Sequence, residues 1–392
     1  MNKYIILCLL LLPVISWQCK KKNSEPEIVD YSCDCGTYGT NSVSRNISHP
    51  LGLLPYGNDR WIWGFIDLNG NTVIEPLYKE VKWFSNERAL TWVESSYRFY
   101  AGFIKPDGSI AIESRYGDID TYFSTEGLIA AASPSGKWGY LDRDGNYKIS
   151  FSYKNAFGFY EGRAVVKEFK YGAIDVNGNL IIPTKYMVLS NFSEGKAIAG
   201  LIYDWLGYIG LNGEQLIPPK FFSAGIFVNG LAIAMDSLYP AYGYIDTTGN
   251  FKIPPQFQDG TPFWEYLAAV KVDDQWGFID TVGNMVVQPT YNDVNGGFCG
   301  GLAAVKVGSK WGYINRNGQM VLQPCYKEAD VFYCGRAMVL LEDDHLGYID
   351  QTGALKWRSP LRIQKDKNEI PFLFRMIQKG TLEKAIVKHL SG

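Results

Sequence analysis

The chain has 392 residues, and its 38 lysines and arginines against 40 aspartates and glutamates leave a net charge of −2. This balance argues against a nucleic-acid-binding protein, which would show a basic excess. Only three histidines are present, so His-dependent catalysis and a His-ligated metal are disfavoured. An apolar share of 46% with 20% charged residues is typical of a folded protein.

The N-terminal segment has the pattern of an export signal. Lys3 precedes an apolar run from Tyr4 to Ile15, and Cys19 follows shortly after. Such a run is too short to span a bilayer comfortably and matches the core of a signal peptide. The segment resembles a bacterial lipoprotein signal, which implies removal of residues 1–18 and lipidation of Cys19. Plain secretion and a retained N-terminal anchor are the alternatives. Residues 19–58 are predicted to form the lipidated cysteine, a tether and an irregular entry segment.

A four-residue motif recurs nine times in the rest of the chain. An aromatic or apolar residue is followed by Gly, a mostly aromatic residue, and Ile or Leu, as in Trp63-Gly64-Phe65-Ile66 and Trp311-Gly312-Tyr313-Ile314. The copies are about 35 residues apart, a period typical of repeat proteins. The residues assigned a structural role in the repeat are Trp63, Gly64, Trp138, Gly139, Gly172, Gly207, Gly243, Trp276, Gly277, Trp311, Gly312 and Gly347.

Each copy continues in the same order. An Asp-x-x-Gly turn such as Asp67-Leu68-Asn69-Gly70 comes next, then an apolar pair with Pro, as in Ile74-Glu75-Pro76. A Phe, a short gap, a Gly and an alternating apolar run complete the unit, as in residues 192–199. This order resembles the WG-repeat family of bacterial proteins, named for the Trp-Gly step. The resemblance covers residues 59–358.

The repeat chemistry predicts an all-β fold. Asx and Gly residues favour tight turns, and Pro ends a strand because it has no amide to donate. Each unit is predicted to be a three-stranded antiparallel meander with a connecting loop, and stacked units would bury a continuous core. We predict an open superhelical array of about nine units, with a closed or nearly closed β-propeller as the alternative. Residues 359–392 are predicted to form a short helical cap.

Two polar patterns are interpreted as structural. The turns that begin at Asp67, Asp142 and Asp175 match the opening of a calcium loop but have Gly at position 4 and Tyr at position 12, so they are interpreted as turns. Glu126, Glu161 and Glu194 recur before a Gly, and their repetition favours a structural role over a glycosidase carboxylate pair. No cofactor, metal site or catalytic residue is predicted.

Disulfide pairing is left open by the sequence. Export permits disulfides, and the cysteines beyond the signal and the lipid site are Cys33, Cys35, Cys299, Cys325 and Cys334. Cys325 and Cys334 flank one loop, so they are one candidate pair. Cys299 and Cys334 occupy comparable places in adjacent repeats, so they are another.

The function inferred from these features is a non-catalytic binding or scaffolding surface at the bacterial cell envelope. It would face the periplasm or the cell surface and touch the membrane only through its lipid anchor, and a protein is the expected partner. This inferred function rests on an analogy with other repeat folds. Carbohydrate or peptidoglycan binding and a hydrolase are the alternatives. The candidate ligand-facing aromatics, which lie outside the Trp-Gly step, are Trp92, Trp205, Trp264 and Trp357.

Overall fold

The fold is described by a computed structural model, which covers residues 53–57, 62–67, 71–82, 84, 87–95, 98–120, 123–203, 205–236, 241–332 and 335–362. The predicted signal peptide, Cys19, the tether and most of the predicted helical cap lie outside these residues. The regular elements described are all β-strands, which confirms the all-β class. Within these ranges there is no helix with the length and apolarity needed to cross a membrane.

The strands form nine antiparallel units in chain order, which we number 1 to 9. From the inside outward, a unit contains an inner strand, a second strand, a Trp-Gly strand and an outer strand. The inner strands are Glu80–Val81, Asp118–Ile119, Asn155–Tyr160, Val188–Leu189, Asp259–Gly260, Asp293–Cys299 and Glu328–Ala329. The second strands are Leu54–Gly57, Ala89–Ser95, Ile129–Ala132, Arg163–Lys167, Lys196–Gly200, Ala232–Asp236, Ala268–Val272, Leu302–Val307 and Arg336–Leu340.

The Trp-Gly strands carry the recurring motif, and the outer strands carry the Pro. The Trp-Gly strands are Trp63–Ile66, Arg98–Ile104, Trp138–Leu141, Tyr171–Ile174, Leu206–Gly210, Tyr242–Ile245, Gln275–Ile279, Lys310–Asn315 and His345–Asp350. The outer strands are Thr72–Tyr78, Ile110–Tyr116, Tyr147–Tyr153, Leu180–Tyr186, Gln215–Ala224, Phe251–Phe257, Met285–Tyr291, Met320–Tyr326 and Leu355–Arg362.

The predicted three-stranded meander is wrong for most units, because the connecting loop contributes a fourth strand. In unit 2, Glu80 pairs with Trp92 and Val81 with Thr91, so these two loop residues cover the inner edge of the second strand. Unit 1 has three strands in the described residues. Units 5 and 6 share the long strand Gln215–Ala224, which joins them into one seven-stranded sheet.

The second and Trp-Gly strands are buried along most of their length. Ile129–Ala132 is buried at every position, because sheets from neighbouring units cover both of its faces. The outer strands are more exposed and bury single residues such as Ile182 and Tyr186. The core therefore lies between the units, as the stacking argument predicts.

Each unit contacts the next through recurring aromatic residues. The hydroxyl of Tyr208 donates to the carbonyl oxygen of Gly225 at 2.7 Å, and that of Tyr313 donates to Asp330 at 2.7 Å. Aromatic rings pair across the same boundaries, as in Tyr208 with Phe227, whose centroids are 4.9 Å apart. Aromatic pairs of this kind contribute beyond their buried area.

The first and last units contact each other. Leu53, Trp63 and Phe65 of unit 1 share one hydrophobic cluster with Leu340 and Tyr348 of unit 9. The Tyr348 hydroxyl also donates to the carbonyl oxygen of Pro55 at 3.4 Å, which parallels the tyrosine contacts between consecutive units. An open superhelical array would keep its ends apart, so that prediction is wrong. The contact agrees with the alternative, a closed or nearly closed propeller.

The predicted C-terminal boundary also needs a correction. The last outer strand runs from Leu355 to Arg362 and therefore continues past the predicted start of the helical cap at residue 359. The Ser359 hydroxyl accepts a hydrogen bond from the amide of Leu346 at 3.0 Å, which ties this strand to its neighbour. The rest of the predicted cap lies beyond the described residues.

The units present two faces. We call the hairpin face the one that carries the turns between second and Trp-Gly strands, such as Gly308-Ser309, together with the links between units. We call the turn face the opposite one, which carries the Asp-x-x-Gly turns and the turns between inner and second strands. These two faces are where residues can differ between units without disturbing the repeated core.

Candidate functional site

The glycines of the Trp-Gly step are needed for space. In unit 8, Trp311 pairs with Tyr326 and Tyr313 with Leu322, so the outer strand bulges around Pro324 toward Gly312. A Cβ on Gly312 would lie 2.6 Å from the carbonyl oxygen of Leu322. The same close approach occurs at Gly64, Gly139, Gly172, Gly207, Gly243 and Gly277. Gly347 differs, because its nearest neighbour is the side chain of Leu355.

The tryptophans of the motif belong to the core. Trp63, Trp276 and Trp311 are buried, and Trp138 is half-buried. They pack in the clusters between units, together with residues such as Phe278 and Tyr313. The side chains of Trp63, Trp276 and Trp311 are therefore not available for a ligand.

The calcium-like turns use their carboxylates internally. Asp175 Oδ1 accepts from the amides of Asn177 and Asn179, each at 2.9 Å, and Oδ2 accepts from the Asn179 side chain at 2.9 Å. The hydrogen bond from the Asn179 side chain is the largest cause that lowers the pKa of Asp175. The turn interpretation therefore has a direct structural basis in the bonds these carboxylates make.

The recurring glutamates join one unit to the next. Glu161 and Glu194 lie in two-residue turns between the inner and second strands, and Glu126 lies in a longer turn at the same place in unit 3. Each carboxylate accepts from the turn amide of the following unit. Glu126 bonds Gly162 at 3.0 Å, Glu161 bonds Gly195 at 2.8 Å, and Glu194 bonds Gly230 at 2.9 Å. The three carboxylates lie one unit apart, and each is hydrogen-bonded to a backbone amide. This arrangement supports the predicted structural role.

Two cysteines fall within the described residues, and both are in disulfide bonds. They are Cys299 and Cys325. These residues lie on the two edge strands of one four-stranded sheet, so two further strands separate them. Strands are about 4.8 Å apart, and linked cysteines need Cα atoms within about 7 Å, so the two are not bonded to each other. Cys33, Cys35 and Cys334 lie outside the described residues.

The hairpin face of units 4 and 5 exposes a group of large apolar side chains. Between Gly200 and Leu206 the chain makes a longer hairpin than Gly308-Ser309 of unit 8, with Asp204 outside the described residues. Leu201 is 57% exposed and Trp205 44% exposed, and Phe169 of the adjacent hairpin reaches 84%. We define the apolar hairpin patch as Phe169, Leu201, Ile202, Tyr203, Trp205 and Phe222, all of them exposed.

Lysines surround the apolar hairpin patch and contact aromatic rings. The Lys154 ammonium lies 3.9 Å from the ring centroid of Phe169, and Lys185 and Lys220 lie over Tyr186 and Phe221 at 5.2 and 5.3 Å. Contacts of this kind are cation–π interactions. Lys167 and Lys170 lie nearby in unit 4. Within the described ranges, none of these five lysines makes an ion pair.

The hairpin face of units 7 to 9 has the opposite chemistry. Most of its basic side chains pair with carboxylates, as in Lys271 with Asp274 at 2.8 Å and Lys327 with Asp344 at 2.6 Å, whereas Lys306 lies over the Trp311 ring. Arg358 bonds Asp343, whose other oxygen lies 3.1 Å from Nδ1 of His345. This cluster departs from the repeat pattern, but its members are bonded to one another.

The turn face of unit 7 carries a backbone outlier. The corresponding two-residue turns of units 4, 5, 6 and 8 place Gly second, as in Glu161-Gly162, with φ of 53° and 73°, whereas unit 2 has Glu87 there with φ of 60°. Both positions of such a turn need positive φ, which favours Gly. Unit 7 has Glu265-Tyr266 instead, with φ of 48° and 67°. Tyr266 is 65% exposed, so burial does not compensate for the strain of an aromatic residue in the left-handed region.

Polar and aromatic side chains surround Tyr266. Arg316 donates to the Glu265 carboxylate through two nitrogens at 2.8 and 3.0 Å, and that carboxylate also accepts from the amide of Gly301 at 3.2 Å. Trp264 is half-buried and packs over Gly297, where a Cβ would lie 2.5 Å from the indole ring. The fold thus holds in place Trp264 and Glu265, the two residues that precede Tyr266.

A partly buried carboxylate lies beside the inner strand of unit 9. Asp330 accepts from the amide of Val331 at 2.8 Å, and its backbone oxygen receives the Tyr313 hydroxyl. Burial raises the pKa of Asp330 to about 6. Ionisation of Asp330 at neutral pH therefore lowers the free energy of unfolding.

A comparison with protein families identifies the repeat. The family model described as "WG containing repeat" matches residues 63–94, 138–168, 171–200, 207–236, 242–276, 276–311 and 311–343, more than half of the chain. The chain belongs to the WG-repeat family. The matched segments include the Trp-Gly strands of all units except 2 and 9. No curated protein matches the chain in a sequence comparison.

Solved structures resemble this WG-repeat protein at low identity. A eukaryotic initiation factor is 9% identical with a TM-score of 0.54, over 79% of this chain and 96% of that one. BamB from Moraxella catarrhalis is 12% identical with a TM-score of 0.41, over 70% and 94%. The computationally designed protein Ika8 is 13% identical with a TM-score of 0.41, over 60% and 85%. The likeness to the initiation factor concerns the fold alone.

The four tryptophans proposed as ligand-facing differ in the WG-repeat protein. Trp205 is exposed in the apolar hairpin patch. Trp92 is half-buried against the core of unit 2, and Trp357 packs on Tyr348 with ring centroids 5.6 Å apart. Trp264 is half-buried on the turn face, and the structure does not bring it near Trp205, which lies on the opposite face.

Several residues of the apolar hairpin patch and of the turn face near Tyr266 are not predicted from the sequence. Tyr266 has a clear signal, because Phe263-Trp264-Glu265-Tyr266 breaks the pattern of Phe192-Ser193-Glu194-Gly195 at the Gly. Leu201, Ile202 and Tyr203 are signalled by the extra length of their hairpin between two alternating runs. Phe169 has no such signal, since its exposure depends on how far its hairpin projects.

Proposed function

We propose that this WG-repeat protein is an exported, lipid-anchored and non-catalytic binding protein that holds a protein partner at the bacterial cell envelope. The apolar run Tyr4 to Ile15 and the following Cys19 support export and lipidation. The nine units, with their first and last members in contact, serve as a closed and rigid frame. Residues that differ from unit to unit on the two faces carry the binding.

The strained turn at Tyr266 is the observation that carries the proposal. A backbone in the left-handed region costs an aromatic residue about 1 to 2 kcal/mol, and Gly would remove that cost. The neighbouring units use Gly in that position. An exposed tyrosine held there against its backbone preference is therefore a candidate contact residue.

The surroundings of Tyr266 favour a protein as the ligand. Tyr, Trp and Arg are the residue types enriched at the energetic centres of protein interfaces, and Tyr266 lies among Trp264 and Arg316. The ion pair between Arg316 and Glu265 would form the polar rim of this interface, and the pair is already in place in the free protein. Rings of this kind also stack on sugars, so a glycan is the second candidate.

The non-catalytic role is supported by how the polar groups are used. The recurring Asp and Glu carboxylates bond to turn amides, and the charged cluster of Asp343, His345 and Arg358 is bonded within itself. General acid–base catalysis needs carboxyl groups placed beside a reacting bond.

Photo-crosslinking in intact envelopes tests the proposal. A photoreactive amino acid at position 266 should yield a discrete protein adduct, and one at position 176, an exposed site on the turn face of unit 4, should not. Unlabelled full chain added in excess should suppress the adduct, and the Tyr266→Gly variant should not. Equal adducts at the two positions contradict the proposal, and Tyr266-dependent pelleting with peptidoglycan would replace it by the glycan alternative.

Replacing Tyr266 with Gly should separate stability from binding. Gly adopts positive φ freely, so we expect the free energy of unfolding to rise by about 1 kcal/mol while partner capture is lost. Chemical denaturation of the full chain measures the first effect, and Val176→Gly is the control. A loss of stability in the variant would show that the Tyr266 ring supports the fold rather than a partner.

A further inference from the structure

We propose that the apolar hairpin patch and its lysines dock on an anionic phospholipid bilayer. The proposal goes beyond protein binding on the turn face and rests on the proposed anchoring only because the anchor brings the patch near a membrane. Docking of this patch would direct Tyr266 and the rest of the turn face away from the bilayer, toward a partner.

The patch has the composition of an interfacial membrane contact. Leu201 and Ile202 stand at one hairpin, flanked by Tyr203 and Trp205, and all four side chains are exposed. Trp and Tyr favour the boundary between headgroups and acyl chains, and aliphatic side chains gain by entering just below it. Phe169 and Phe222 extend this surface into the adjacent hairpin and the next link between units.

The charges around the patch select an anionic surface. Lys154, Lys167, Lys170, Lys185 and Lys220 lie on the same region, whereas its acidic side chains in the described ranges are Glu168 and Asp236. The ammonium groups of four of these lysines, Lys154, Lys167, Lys185 and Lys220, lie over aromatic rings, and no carboxylate in the described ranges neutralises their charge. Basic side chains near a membrane are attracted to anionic lipids.

The rest of the hairpin face supplies an internal control. In units 7 to 9 four basic side chains are paired with Asp274, Glu342, Asp343 and Asp344, so most of the basic charge there is already neutralised, and Lys306 lies over the Trp311 ring. The unit 8 hairpin Gly308-Ser309 is short and polar at its tip. If this combination of exposed apolar side chains and lysines without ion pairs were a general property of the fold, every hairpin would carry it. In the structure it is concentrated in units 4 and 5.

The experiment compares two positions in the full chain reconstituted into vesicles of phosphatidylglycerol and phosphatidylethanolamine. An environment-sensitive fluorescent amino acid replaces Ile202 in one protein and Ser309 in the matched control. Lipids with a quencher on the acyl chain report depth. We expect strong quenching at position 202 and little at position 309. The Lys185→Ala variant should lower the ratio of docked to free patch about fivefold, and added salt should lower it further.

Three outcomes would overturn the docking proposal. The first is equal quenching at positions 202 and 309. The second is quenching at position 202 that is unchanged in pure phosphatidylcholine vesicles, which would remove the role of the lysines. The third is burial of position 202 only after envelope proteins are added, which would make the patch a protein-binding surface. Flotation of Cys19→Ala beside the parent chain reports the anchor separately, so a failure there is distinguishable.

Discussion

The hairpins of units 5 and 9 occupy the same place in the fold and differ in chemistry. The unit 5 hairpin exposes Leu201, Ile202 and Trp205, and the lysines beside it contact aromatic rings. In unit 9, Asp343, His345 and Arg358 bond to one another. A buried and repeated frame lets the exposed turns diverge, because their side chains do not contribute to the core between units. We therefore expect the function to depend on residues that differ between units, and the stability to depend on residues that the units share.

The largest expected difference between these two units lies in the glycine beneath each hairpin. A Cβ on Gly207 would meet the backbone of Ile217 and Pro219, which cannot move aside, whereas a Cβ on Gly347 would meet the flexible side chain of Leu355. We expect Gly207→Ala to lower the free energy of unfolding by more than about 3 kcal/mol and Gly347→Ala by about 1 kcal/mol. Chemical denaturation measures both variants, and equal losses would contradict the steric explanation.

The Asp330 carboxylate of unit 9 should make the stability of that unit depend on pH. Unit 5 has Ser190 in the equivalent place and should lack this dependence. The pKa of Asp330 is raised to about 6 in the folded state. As pH rises from about 4, the unfolded state releases this proton first, so the contribution to stability falls until about pH 6. Asp330→Asn should therefore stabilise the protein by about 2 to 3 kcal/mol at pH 7.5.

Unfolding at two pH values checks the Asp330 prediction. At about pH 3 the parent chain and Asp330→Asn should be nearly equally stable, because the carboxyl group is then mostly protonated in both the folded and the unfolded parent. A gain of the same size at both pH values would mean that packing, not ionisation, is responsible.

The charged hairpin of unit 9 should contribute little to stability. The side chains of Arg358 and Asp343 are both more than a third exposed, so water and salt screen their attraction. We expect Arg358→Ala to cost less than about 1 kcal/mol, with most of that cost removed in high salt. Denaturation at low and high ionic strength is the measurement, with Lys170→Ala as a control that breaks no ion pair. A loss that persists in high salt would mean that Arg358 acts through packing.

The apolar hairpin of unit 5 should contribute least of all. Leu201 is largely exposed, so Leu201→Ser should change the free energy of unfolding by less than about 0.5 kcal/mol. The same variant should reduce the binding of a hydrophobic fluorescent dye to the folded protein, whereas Val307→Ser in unit 8 should reduce it less. A large loss of stability would show that Leu201 belongs to the core.

The sequence predicts the repeated parts of this fold well because they depend on short-range chemistry. The turn at Asp175 and the close approach at Gly312 each involve residues within about one strand length of each other. The inner strands are missed because two residues, such as Glu80–Val81, are too few to show a period. Closure is missed because the Tyr348 hydroxyl meets Pro55, 293 positions away, and the repeat pattern specifies neighbours but not curvature.

The candidate surfaces are predicted less completely than the frame. Trp205 is found because it stands outside the repeat motif, and Trp92 is chosen on the same ground although it packs against the core. Position in the motif does not determine exposure, which depends on how far a hairpin projects. Tyr266 is missed although the exchange of Gly for Tyr is visible in the sequence, because the strain at this position is known only from the backbone angle.

The seven-stranded sheet of units 5 and 6 has a mechanical consequence. The strand Gln215–Ala224 runs from one unit into the other, so backbone hydrogen bonds cross this boundary without interruption. Most other boundaries rely on side-chain packing and isolated hydrogen bonds. A pulling force applied at the hairpins of unit 5 would therefore spread over two units before any boundary opens, and the ring would yield first elsewhere.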